Sequence, residues 1–106
     1  MNSDFGYDPG TKHYYAALSF EPRSGDRETH GFGIYRINAD QLLSGTGTWE
    51  KLGAVDTSTT GAYLNHSPGF VKDEYGNVNG QHLAIVYTQG TNDANTWDLT
   101  LAGWQP

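Results

Sequence analysis

Oxygen-bearing side chains gather at three places in this chain, and their types and spacing suit turns and hard cations better than bond-breaking chemistry. Asp8, in Asp8-Pro9-Gly10-Thr11, and Asp73, in Asp73-Glu74-Tyr75-Gly76-Asn77, stand at equivalent turn positions, where a carboxylate ordinarily accepts backbone N–H bonds from the turn itself. Asp73, Glu74, Asn77 and Asn79, or alternatively Asn92, Asp93 and Asn95, offer oxygen ligands of the kind calcium takes, without the spacing of a defined calcium loop. The four histidines, His13, His30, His66 and His82, have no H-x-x-x-H spacing, and without Cys there is no thiolate zinc site, disulfide or cysteine nucleophile. No G-x-S-x-G, phosphate loop or dinucleotide fingerprint supports acyl transfer, phosphoryl transfer or hydride transfer. Asn65-His66-Ser67 fits the N-glycosylation pattern, with Pro68 beside it weakening the match. Tyr14, Tyr15, Tyr35, Trp49, Tyr63, Trp97 and Trp104 have faces that can stack on sugar rings, but most are expected to fill space between packed layers. Tyr63 and Trp104, near loops or the terminus, are expected to be the most exposed.

Such side chains need a scaffold, and the composition points to a β-rich one. Fourteen Gly with seven Tyr, four Phe and three Trp, against 17% charged residues, describe strands and turns, not a helical bundle or a disordered chain. The 106 residues make one all-β domain with a modest core. A net charge of −6 with only six scattered Lys and Arg argues against nucleic acid and against an anionic membrane surface. Sugars and cations stay compatible. No apolar run approaches the roughly 20 residues of a membrane span. MNSDFGYDPG lacks the build of a signal peptide. The initiating Met on an exported-looking composition suggests an expressed piece of a longer, secreted parent.

The central stretch, Ser67 to Gly90, reads as a hairpin: a strand from Gly69 to Lys72, a polar turn from Asp73 to Gly80, and a strand from His82 to Thr88. Phe5 to Tyr7, the Asp8-Pro9-Gly10 turn and His13 to Phe20 form an earlier hairpin of the same kind. Arg23 to His30 is a polar surface loop, and Gly31 to Ile37 is a third strand. Asn38 caps one helical turn with Leu42 and Leu43 tucked beneath it. Trp49 to Val55 is a fourth strand, Asp56 to Gly61 a polar connection, and Thr96 to Trp104 a strand of clear alternation.

The halves repeat. Phe5-Gly6-Tyr7-Asp8, turn, His13-Tyr14-Tyr15-Ala16 aligns with Phe70-Val71-Lys72-Asp73, turn, His82-Leu83-Ala84-Ile85. Gly31 to Arg36 then aligns with Trp97 to Ala102. The copies cover about 3–56 and 62–104, and the second stops without a fourth strand. Four antiparallel strands followed by three is the chain order of β-propeller blades. Pro68-Gly69-Phe70-Val71-Lys72-Asp73-Glu74-Tyr75-Gly76-Asn77 with His82 to Tyr87, and Gly33 to Ile37 followed by Thr48 to Leu52, resemble blades of the five-bladed arabinanase, xylosidase and invertase-like propellers.

The resemblance implies four-stranded antiparallel blades around a funnel that binds carbohydrate. In those enzymes a carboxylate precedes the Pro that opens an inner strand, whereas Asn65, His66 and Ser67 precede Pro68 here. That departure turns the expectation from hydrolysis toward glycan binding. Asp4 aligns with Gly69 and is the best-placed funnel carboxylate, with Glu21 the only other acid near the same face, and glycoside hydrolysis needs two carboxyls about 5 to 9.5 Å apart. The expected ligand-binding set is Asp4, His66, Tyr63 and Trp104, with no cofactor and no metal expected, calcium being compatible with the oxygen-rich turns. The alternative is an assembly module without chemistry, whose partners are other propeller blades or identical copies of the chain. Two blades alone leave sheet faces and edges exposed.

Overall fold

The structure is a computed structural model, and it describes residues 3–20, 31–61, 64–90 and 97–104. Two antiparallel meanders account for nearly all of it. The first sheet runs β1 (Ser3–Asp8), β2 (His13–Ser19), β3 (Gly31–Asn38), β4 (Glu50–Asp56), in that spatial order. One helical turn, α1 (Ala39–Ser44), links β3 to β4, and a second, α2 (Thr57–Thr60), follows β4. The second sheet orders β5 (Leu64–Phe70), β6 (Leu83–Gly90) and β7 (Trp97–Trp104). The all-β expectation holds at that level.

Local chemistry explains the connections. In the β1–β2 turn, Asp8 Oδ1 accepts from the Gly10 N–H at 2.8 Å, Asp8 Oδ2 accepts from Thr11 Oγ1 at 3.0 Å, and the Lys12 N–H closes the turn on the Asp8 carbonyl. Asn38 caps α1 as expected, its Oδ1 accepting from the Asp40 N–H at 2.9 Å, and Gly45 at φ 72° ends it. Leu42 and Leu43 are exposed, not tucked beneath the turn, because a single turn offers one inward position and Ala39 occupies it. The polar connection after β4 is itself helical: Asp56 accepts from the Thr59 N–H and the Ser58 hydroxyl, which starts α2.

The sheets pack face to face. Tyr15, Ala17, Phe32 and Ile34 of the first meet Phe70, Leu83, Ile85 and Tyr87 of the second, with Val78 sealing one side. Phe32 meets Tyr87 edge-on at 5.3 Å between centroids. Each large apolar side chain so covered stabilises by about 1.5–3 kcal/mol. Strand alternation selects these faces, but two bulges modify it. Tyr35 pairs with Lys51 and Ile34 with Gly53, so Leu52 is the extra residue, and both Leu52 and Val55 reach the core. The second bulge lies between His66 and Gly69, where Ser67 sits at φ 56° and Pro68 has no N–H to pair. The hairpin therefore starts at Leu64, five residues before the strand expected at Gly69.

Both sheets have the same register. Phe5 faces Ala16 as Phe70 faces Ile85, and Asp4 faces Ala17 as Gly69 faces Val86. In the third strands, Ile34 faces Ala17 as Leu101 faces Val86, which shifts the sequence alignment by one residue. That shift matters because one residue exchanges the two faces of a strand.

Candidate functional site

Asp4, the residue expected in a funnel, lies on the covered face of β1. Its Oδ2 accepts from the Phe70 N–H at 2.8 Å, and its Oδ1 meets Lys72 Nζ at 3.1 Å. Burial opposes its ionisation, but the Phe70 N–H and the Lys72 ammonium outweigh that and hold the carboxyl below its ordinary value. A glycosidic general acid needs a raised pKa, so Asp4 is poorly suited to that role and well suited to clasp two sheets. Glu21 and Tyr63 lie outside the described residues. Trp104 ends β7, its backbone paired with Leu83, and its side chain also lies outside what is described.

His66 is half-buried beside the bulge, opposite Thr88, with Nδ1 3.3 Å from Ser67 Oγ. Asp4 is bonded at the Phe70 end of β5, whereas His66 stands on the far side of the bulge, so the structure does not join them in one constellation. The glycosylation pattern is also sequestered: Asn65 is fully buried and accepts from Thr60 Oγ1 at 2.8 Å.

Asp8 and Asp73 show how one turn residue serves two purposes. Asp73 Oδ1 accepts from the N–H groups of Tyr75 and Asn77, a local turn bond on an exposed loop. Asp8 does this for Gly10 and also accepts from the Gly80 N–H, 72 residues away, at 2.8 Å in a buried position. Burial raises its pKa, but the Gly80 and Gly10 N–H groups and the Thr11 hydroxyl more than reverse this and leave it lowered. The same loop pairs Asn77 with Tyr7 in a parallel bridge, and the Val78 N–H bonds the Tyr7 carbonyl at 3.0 Å. Gly6 has no side chain because Val78 fills its space, and Gly80 leaves room for the Tyr15 hydroxyl and the Asp8 carboxylate.

Where the β5–β6 loop meets the β1–β2 turn, a cleft of about 480 Å³ opens, lined by Asp8, Pro9, Val71, Asp73, Asn77 and His82 among others. Its two acids are already engaged by backbone N–H groups, so the cleft is polar without holding a pair of carboxylates poised for hydrolysis. Among the described residues, no group of three or more His, Asp or Glu is placed to hold a metal ion. Asn92, Asp93 and Asn95 lie outside the described residues.

One feature escaped sequence reasoning. The face of the first sheet turned away from the second carries Phe5, 52% exposed, with Trp49, 38% exposed, at 6.3 Å between ring centroids. Tyr7 and Tyr14 meet beside them at 4.8 Å between ring centroids, tilted by 43°. Trp49 precedes β4 instead of opening it, which lets its ring reach β1. The alternation of Phe5 and Tyr7 signalled a strand, but not which face would stay open. Comparison with protein-family models, curated proteins and solved structures finds no match to this chain.

Proposed function

We propose that this chain is a two-blade segment of a larger β-propeller and acts as an assembly module, with no catalytic activity of its own. One observation carries the reading: Phe5 and Phe70 hold the same register position in their sheets, yet Phe70 is 8% exposed under the neighbouring sheet and Phe5 is 52% exposed. A position built to be covered in one sheet is bare in the other, which is how an unfinished stack of blades looks. The engaged states of Asp4 and Asp8 favour the same reading, since the best-placed acids serve the joint between sheets. Electron microscopy of the assembled species tests it. Sheets arranged radially around a channel are expected; a lone two-sheet particle with no affinity for apolar dyes would overturn it.

Carbohydrate binding is a second reading, favoured by the polar cleft and its Asn77, Asn79 and His82 lining. Sugar titration followed by tryptophan fluorescence checks it. A saturable change that Asn77→Ala removes supports binding, and an unchanged signal across a sugar panel removes it.

A further inference from the structure

We infer that the blades this chain lacks are supplied by further copies of it, joined head to tail through the open face of the first sheet of one copy and the open face of the second sheet of the next. The inference rests on the propeller reading above and adds the partner and the residues that meet.

The joint inside the chain is its template. There the first sheet offers Gly6, Tyr15 and Ala17, and the second offers Phe70, Leu83, Ile85 and Tyr87. The shared register carries each set onto the opposite sheet. Phe5, Tyr14, Ala16 and Leu18 are the counterparts of Phe70, Leu83, Ile85 and Tyr87, and they share the face of the first sheet turned away from the second, where Phe5 is exposed, Tyr14 and Leu18 are half-buried and the small Ala16 is covered by its neighbours. Val71, Ala84 and Val86 are the counterparts of Gly6, Tyr15 and Ala17, and they lie on the side of the second sheet away from its core residues. Each molecule thus presents the register positions of one half of its internal joint on one outward face and those of the other half on the other, filled in both cases mainly by apolar side chains. The contact joins unlike faces and is therefore heterologous, and with the blade-to-blade rotation of a propeller it closes into a ring.

The cleft agrees with this arrangement. Val71, Asp73 and Ala84, all in its lining, are the counterparts of Gly6, Asp8 and Tyr15, the residues that seat the Val78–Gly80 segment within the chain. In the assembly this seat receives the β1–β2 turn of the next copy, residues 9–12. Propellers hold about four to eight blades, so a closed ring takes about two to four copies.

The test is the solution mass of the full chain, of Trp49→Asp, of Val86→Asp, and of their equimolar mixture, with circular dichroism confirming that each is folded. Val71→Asp, at a position 50% exposed, replaces Val86→Asp if the latter fails to fold. The wild-type chain is expected as a closed oligomer of about two to four copies, each variant alone as a monomer, and the mixture as one-to-one pairs and nothing larger. Two results overturn the inference: a wild-type chain that stays monomeric, or a Val86→Asp variant that keeps the wild-type mass. A monomer that binds an apolar dye, with the binding lost in Trp49→Asp, removes the copies but leaves the propeller reading standing with blades from a longer parent or another chain. A monomer that binds no dye removes both.

Discussion

The first and second sheets are built to one register and end up with opposite fates. On β5 and β6, Phe70, Leu83, Ile85 and Tyr87 disappear beneath the neighbouring sheet, whereas on β1 the equivalent Phe5 is half in solvent. The turns diverge in the same way: Asp8 binds the other sheet's loop through Gly80, and Asp73 binds only its own turn. Position in the repeat thus sets which face a residue points to. Whether that face is covered depends on a neighbour: the Phe70 face of the second sheet lies against the first sheet, whereas the Phe5 face of the first sheet is turned away from the second.

The largest expected difference comes from truncating the two equivalent phenylalanines. Phe70→Ala, emptying a covered site, is expected to cost about 3–5 kcal/mol in denaturant unfolding. Phe5→Ala in the dissociated chain is expected to cost about 1 kcal/mol or less, since half of its surface is already in water. Equal costs would show that the two faces are equally buried in solution and would break the comparison.

Gly6 and Val71 sharpen it further. Gly6→Val drives a side chain into Val78 and is expected to cost about 1–3 kcal/mol, while Val71→Gly on the open side is expected to cost less than about 1 kcal/mol. Thermal melts of the pair decide this. Next come the turn acids. Asp8→Ala leaves the buried Gly80 N–H without its acceptor, at about 1–3 kcal/mol, and Asp73→Ala, on an exposed loop, is expected to cost about 1 kcal/mol or less.

The smallest effect is pH-dependent. Asp4 and Asp8 are both held below the carboxylate value of 3.8 by the bonds that join the sheets. A depressed folded-state pKa contributes stability that is present above the unfolded value and lost as pH falls through the folded one. The sheet joint is therefore expected to weaken as pH drops below about 3.8, and Asp4→Asn with Asp8→Asn to flatten that decline. Acid unfolding curves that overlay between wild type and the double variant would contradict the clasp.

Much of the fold was legible because the strands are short, alternating and separated by strong turn chemistry. Asp8-Pro9-Gly10, the Asn38 cap and the alternation from Trp97 to Trp104 each point to the element that forms. What escaped was set by tertiary contacts. Leu52 and Ser67–Pro68 carry bulges, and a bulge changes which face the following residues occupy without leaving a mark in hydropathy. Val78, inside an apparently polar turn, is buried because that loop folds back onto β1. The site was less legible still. Asp4 stands on β1 at the register position that Gly69 holds on β5, but its bond to Phe70 spans 66 residues and its ion pair with Lys72 spans 68, distances over which local pattern carries no information. Glu21 and Tyr63 lie outside the described residues, and so does the expected approach of Glu21 to Asp4.

Hydroxyl-radical footprinting across a concentration series reads the open face of the first sheet residue by residue. Oxidation of Phe5 and Trp49 is expected to slow several-fold as the chain assembles, while Leu43, 79% exposed on α1, keeps its rate. Rates at Phe5 and Trp49 that stay constant and in proportion to their exposure at every concentration would show that no partner covers this face.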